Sequence, residues 1–356
     1  MHLNKPPVQI PIHLAKNGFN VALMVSEADA AIDSKIIIKE TLNKGDSQRI
    51  NKSLTENINE MYQALHFITS FEPEISIFQG NYLTSVFLVF IFRIYYYLFP
   101  KKVIKSRFIL KLDWDGEFQN FPRLIRFPFV FTLFMSALLY DSLSVETECA
   151  YDRLVNFPLI RKKIRLFPNT VADSYFPPKP YNNGKREKVI ITVSRVMFSK
   201  GIDSLVRLFI EVNKQVPGWN LVIIGPIIDA NYFNQLQTLI KESNLNEQIH
   251  FTNSLPYSEI KHYYEIASIF CLLSHGESFA LSRLEAIMSG IPVLTTYSAC
   301  GSRLKGAISV HISEVEKLAK SLLILMTNES RREELVKHGQ EGVEQWEIVI
   351  KHFLEL

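Results

Sequence analysis

Cysteine is scarce in this chain: its 356 residues include only Cys149, Cys271 and Cys300. They form no CxxC pair, and no histidine stands near them at metal-ligand spacing. A zinc site is therefore not expected, and a reducing cytosol fits. Each cysteine reads as a small core hydrophobe. Excess charge is also lacking. The net charge of +3 is too small to mark a nucleic-acid binder by itself. The opening "MHLNKPPVQIPIHLAKNG" has neither a signal-peptide nor a transit-peptide pattern, so a cytoplasmic protein is expected. Internal repeats and low-complexity tracts are absent. What remains is a globular composition, 47% hydrophobic and 21% charged. The chain is too long for one ordinary core, and two domains follow as the expectation.

The second half alternates two periodicities. "VIITVS" (189–194) is a continuous apolar run, as a buried strand requires. After it Leu205, Leu208, Phe209 and Val212 fall on one face of a helix. "LVIIG" (221–225), "IHFTN" (249–253), "IFCLLS" (269–274) and "IPVLTT" (291–296) read as further strands. Helical stretches separate them near 231–243, 257–267 and 279–290. Strand and helix in turn predict a parallel, doubly wound α/β sheet.

The first half is less regular. "FNVALMV" (19–25), "ISIFQ" (75–79), "FILKLD" (108–113), "SLSVE" (142–146) and "KIRLFPNT" (163–170) read as strands. "PPKPYNNGKREK" (177–188) is proline-rich, polar and charged, as a linker is. The expected division is 1–178, 186–328, and a final helix over about 329–355 that crosses back to the first domain.

Two glutamates in "ESFALSRLE" (277–285) stand just past one strand and around the start of a short helix. Ligands of open α/β sheets sit beyond the carboxyl ends of the strands. Free N–H groups and the helix dipole favour an anion there. Two carboxylates would repel a phosphate but accept well from hydroxyls. A ligand with both groups, a nucleotide sugar, reconciles the two. "VSRVMFSKG" (193–201) brings Arg195 and Lys200 to the same sheet edge, where a diphosphate needs positive charge. Taken singly, these four residues would pass for solvated surface charges.

At "SRVMFSKGIDSL", "LVIIG", "HGESFALSRLEAIMSGIPVLTT" and "PNTV" (168–171) the chain resembles glycosyltransferase family 4. The resemblance is specific over about 165–300. It implies the GT-B architecture, two Rossmann-like domains, and a retaining transferase with an NDP-sugar donor bound mainly by the second domain. It also implies roles for matching positions: Arg195 and Lys200 on the diphosphate, Glu277 on donor-sugar hydroxyls, Glu285 on the ribose. Ser278, Phe279 and Ala280 would offer backbone amides to sugar or phosphate. No metal or other cofactor is implied, since cationic side chains and helix N-termini stabilise the leaving diphosphate.

The sequence departs from the family in places. Pro6-Pro7 stands where a Gly-Gly loop is usual, and the strand before it is missing. "KLDWDGE" (111–117) occupies the place of a histidine, so that Asp113 or Asp115 is expected to touch sugar or acceptor, with Trp114 able to stack on a sugar ring. A polar loop is the equal alternative, and His275 is as well read as exposed as facing the site. Rival functions are an NDP-sugar epimerase or phosphorylase of the same architecture, and a non-catalytic sugar-nucleotide-binding paralogue.

One run stands apart. "YLTSVFLVFIFRIYYYLF" (82–99) carries a single charge, Arg93, and is barely long enough to cross ~30 Å of hydrocarbon. It falls where a crossover helix is expected, which makes a buried apolar helix its plain reading. Lys101, Lys102, Lys105, Arg107, Arg123 and Arg126 follow it, and Arg161, Lys162, Lys163 and Arg165 form a second basic cluster. Apolar and basic segments together suit association with an anionic membrane surface without spanning. The expected acceptor is then a glycan or a polyprenyl-linked one.

Overall fold

The computed structural model describes residues 10, 13–16, 18, 21–25, 36–40, 66, 75–79, 83–98, 107–112, 123–277, 279–297, 305–341 and 343–354. The chain forms two compact units: Met1–Ala172 with Gln345–Leu356, and Asp173–Glu344.

In the first unit, β1 (Val21–Val25) pairs in parallel with β2 (Ile36–Glu40). A separate parallel sheet runs β3 (Ile75–Gln79), β4 (Arg107–Leu112), β5 (Ser142–Val145), β6 (Ile164–Leu166), in that order. Helix α1 (Leu83–Leu98) joins β3 to β4, and α2 (Arg123–Leu139) joins β4 to β5. The short α3 (Glu148–Leu154) and α4 (Pro158–Arg161) lead to β6. Right-handed crossovers that step one way across a sheet put their helices on one face. The core agrees: Val89, Phe92, Leu133, Ala137, Leu154 and Ile160 pack with Phe108, Leu110 and Leu143 of the strands. Alternation along β4 sends Ile109 to the opposite face.

The second unit is one six-stranded sheet of parallel pairs, in the order β12-β11-β10-β7-β8-β9. Its strands are β7 (Glu187–Val193), β8 (Asn220–Ile224), β9 (Ile249–Asn253), β10 (Ala267–Leu272), β11 (Val293–Thr296) and β12 (Ala307–Val310). Helices α5 (Ile202–Asn213), α6 (Ala230–Glu242), α7 (Tyr257–Ile266), α8 (Leu281–Met288), α9 (Val315–Thr327) and α10 (Glu329–Gln340) complete it. The stripe Leu205, Leu208, Phe209, Val212 is buried, as its spacing predicts.

Several elements differ from the sequence reading. The expected strand over 163–170 is paired only at Ile164–Leu166. The single helix expected over 329–355 is two, because the chain turns extended at Glu341 (φ −66°, ψ 121°) before α11 (Trp346–Leu354). Helix α11 belongs to the first unit: Trp346, fully buried, packs with Ile10, Leu14, Ile109 and Phe167 on the sheet face opposite α1 and α2. Among the described residues, β2, β12, α2, α3, α4 and α9 were not anticipated. Pro6-Pro7 lies outside the described residues.

Candidate functional site

The strand order of the second unit decides where a ligand belongs. From β7 the chain moves outward through β8 and β9, then returns to the other side of β7 for β10, β11 and β12. The reversal falls between β7 and β10, adjacent and parallel. At such a switch point the chain leaves toward opposite sides of the sheet, and ligands bind outside the carboxyl ends of the strands.

The loops after β7 and β10 are stitched together. The His275 amide donates to the Ser199 carbonyl at 3.0 Å. The His275 ring stacks on Phe198 at 4.6 Å and 16°, with His275 exposed. Gly201, at φ 61°, begins α5 so close to β10 that a Cβ there would lie 1.9 Å from the Leu273 carbonyl oxygen. Only glycine accepts both the left-handed backbone and that approach. The contact carries Lys200 to Glu277: Nζ donates to Oε2 at 2.6 Å, with both side chains mostly shielded. Ser274 Oγ donates to the same carboxylate oxygen at 3.1 Å, and Thr296 Oγ1 fixes the Ser274 carbonyl at 2.6 Å.

Beyond Glu277, Phe279 and Ala280 lead into α8. Its N-cap is Ala280, which has no side-chain oxygen to cap the first-turn amides, and that turn holds no acid. Those N–H groups remain an anion-favouring start. Lys200 offsets the Glu277 charge that would oppose an anion here. Arg283, in the first turn of α8 and buried, lies beneath: burial pulls its guanidinium down to about 10 while Glu277 opposes the shift. It therefore stays cationic at neutral pH.

Glu285 has a different setting. Tyr264 Oη donates to its Oε2 at 3.1 Å. Burial and then the Glu285 charge push Tyr264 well above the ordinary phenol range. Tyr257 is pushed up to about 12, mostly by burial. Tyr175 rises for the same two reasons, and its ring lies edge-on to Tyr257 and Tyr264. All three remain protonated at neutral pH and stand as neutral phenols around Glu285. Arg186, from the expected linker, ties this region down. It donates to the carbonyls of Tyr264, Ala267, Ser289 and Gly290.

Of the residues singled out in sequence, Lys200 and Glu277 meet directly, and Glu285 lies about one turn along α8. Arg195 is exposed on the loop that carries Lys200. Ser278, Asp113, Trp114 and Asp115 lie outside the described residues. Sequence reasoning missed Ser274, Tyr264 and Arg283. A signal existed for Arg283, a charge inside the apolar run "ALSRLEAIM".

Residues 177–342 match the family model "Glycosyl transferases group 1". This part of the chain is a group 1 glycosyl transferase domain. The alpha-monoglucosyldiacylglycerol synthase of Streptococcus pneumoniae is 31% identical to this chain over 108 residues, 30% of this chain and 24% of that protein. The chain matches less than half the length of that protein and of a further glycosyltransferase relative. Sucrose-phosphate synthase from Thermosynechococcus elongatus superposes with a TM-score of 0.77 at 16% identity, over 98% of this chain and 90% of its own. Anabaena HepE in complex with UDP and glucose superposes with a TM-score of 0.73 at 12% identity, over 99% and 95%. These likenesses extend beyond the transferase domain to nearly the whole chain and identify the GT-B fold.

Proposed function

We propose that this protein is a retaining glycosyltransferase that moves a sugar from a nucleotide-sugar donor to a glycan or lipid-linked acceptor. The observation that carries the reading is the Lys200–Glu277 pair, set at the switch point of the transferase domain over the uncapped start of α8. The diphosphate is held by Lys200, by Arg195 and by the first-turn amides of α8. A phosphate that draws Lys200 toward itself frees Glu277 to accept from donor-sugar hydroxyls. Glu285, oriented by Tyr264, accepts from the ribose.

Departure of the nucleotide leaves negative charge on its terminal phosphate, where these cations and amides stabilise it without further reorganisation. Retention follows from attack on the face the phosphate leaves, with the departing phosphate helping to deprotonate the acceptor hydroxyl. Asp113 or Asp115 serves the sugar or acceptor. A relative named for a glucosyldiacylglycerol and a structural neighbour holding UDP and glucose support this substrate class. Action in the cytoplasm, at the membrane surface, suits a lipid-linked acceptor.

The test is a thermal-shift screen of the full chain against UDP, GDP, ADP, dTDP and their sugars. A ligand at a hundredfold excess over its Kd stabilises by ~2.7 kcal/mol. The expected result is a raised midpoint with one nucleoside diphosphate and its sugar, followed by transfer with anomeric configuration kept. No shift with any of them would overturn the reading.

A further inference from the structure

Helix α1 is apolar on both sides. Val86, Val89 and Phe92 are buried in the core of the first unit, yet Phe87, Phe90, Ile94, Tyr97 and Leu98 on the outer side are exposed, Tyr97 to 85%. Helix α2 beside it repeats the pattern: Leu133 and Ala137 face in, while Val130, Phe131, Phe134 and Leu138 are exposed. A helix on a water-facing surface carries polar residues outward. Two neighbouring helices that both present aromatics and leucines form an apolar surface of the kind that marks an interaction site.

The surface continues onto a third element. Helix α4 packs against α2 on the same sheet face. Its surroundings expose Phe157 and Leu159 next to Arg161 and Lys162, also exposed. The one charge inside α1 does not interrupt the surface. Arg93 bonds Asp141 at 2.8 Å and the Leu139 carbonyl at 3.0 Å, and lies over the Phe108 ring. Its charge is matched within the unit. Exposed acids near the rim are Glu148 and Asp152 on α3.

We propose that the outer face of α1, α2 and α4 docks on an anionic lipid bilayer, with the aromatic side chains dipping into the headgroup boundary and Arg161 and Lys162 on the lipid phosphates. Charge complementarity selects this occupant. The cores of protein–protein interfaces are depleted in charge, whereas exposed aromatics bordered by bases are the composition of a surface-bound segment. The geometry forbids a span: α1 has 16 residues, about 24 Å of helix, and its inner side is committed to the sheet. Among the described residues no helix is long and apolar enough to cross a membrane. The proposal is independent of the donor reading, since it concerns a face of the other unit.

The test is flotation of the full chain with phosphatidylcholine vesicles, with and without phosphatidylglycerol, at low and high salt. Binding is expected only to the anionic vesicles and should fall with salt. Arg161→Glu with Lys162→Glu should weaken it by about thirtyfold or more, at ~1 kcal/mol per base. Phe87→Ser with Phe131→Ser should abolish it while the thermal midpoint and nucleotide binding stay unchanged. The charge-reversal pair, both exposed, tests the idea even where the serine variant fails to fold. No binding to anionic vesicles at low salt overturns the proposal, as does equal binding to neutral vesicles. Self-association that disappears with the serine changes, without flotation, assigns the face to a second copy and also overturns it.

Discussion

Each unit carries a lysine–glutamate pair at the carboxyl ends of its parallel strands, and the two pairs live in different solvents. In the first unit Lys111, near the end of β4, is bonded to Glu146, just past β5, with 1% and 4% of their side chains exposed. Asn169 donates to the same glutamate oxygen, and the Lys111 ammonium lies over the Phe167 ring. In the second unit Lys200 and Glu277 keep 15% and 17% exposure. Taking two charges out of water costs several kcal/mol per ion, recovered only when both remain fully paired. A pair so deeply buried cannot exchange partners. A pair reached by solvent can release one partner to a phosphate and the other to a hydroxyl. On the proposed function, a lysine–glutamate pair beyond the strand ends thus serves as a fastening in one unit and as a ligand cradle in the other.

The largest effect should come from the buried pair. Glu146→Gln leaves Lys111 without its counter-charge and is expected to cost about 3–5 kcal/mol in urea denaturation, with nucleotide binding retained. Lys111→Met with Glu146→Leu should cost much less. A loss below about 1 kcal/mol for the single change would break the comparison.

Next is the accessible pair. Glu277→Gln should lower donor turnover by about 10²–10³, and its stability should move far less than that of Glu146→Gln. Wild-type kcat at saturating donor would remove Glu277 from the reaction.

The smallest effects separate the two ends of the donor. Lys200→Ala and Arg195→Ala are each expected to weaken a nucleoside diphosphate about tenfold or more, at ~1.5–3 kcal/mol per charged contact. The free nucleoside should be unaffected. Tyr264→Phe, which removes one neutral hydrogen bond to Glu285, should cost about fivefold, and equally for nucleoside and diphosphate. Calorimetric titration of the three variants reads the contrast directly. Diphosphate and nucleoside weakened alike by Lys200→Ala would place that lysine away from the phosphates.

The second unit was legible in sequence because its inner strands, β7, β8, β10 and β11, are mostly buried on both faces. Runs such as "VIITVS" and "LVIIG" announce themselves, and Gly225 and Pro226 stop the latter where the structure does. Lys200 and Glu277 were legible for a related reason, since each follows a run whose end marks the sheet edge. Their contact was not. It depends on β7 and β10 being neighbours, a long-range fact that the local pattern does not carry. Tyr264 was hidden on a helix of mixed polarity, whereas Arg283 stood out as a charge in apolar company and was passed over. In the first unit β2 escaped notice, and the final helix was read as one because the turn at Glu341 has no proline to announce it. The outward aromatics of α1 and α2 were visible as composition. Which side of each helix they occupy needed the sheet.

The return of α11 has a consequence for how the protein is made. Trp346 is synthesised after the whole second unit, yet it packs in a core with Ile10, Leu14, Ile109 and Phe167, which are synthesised much earlier. The first unit begins to emerge before the second and is closed after it. The second unit, continuous from Asp173 to Glu344, can complete its own core while the first still waits. During synthesis one apolar face of the four-stranded sheet therefore stays without its cover for the time taken to translate a whole domain, an interval in which nascent chains are open to aggregation and to chaperones.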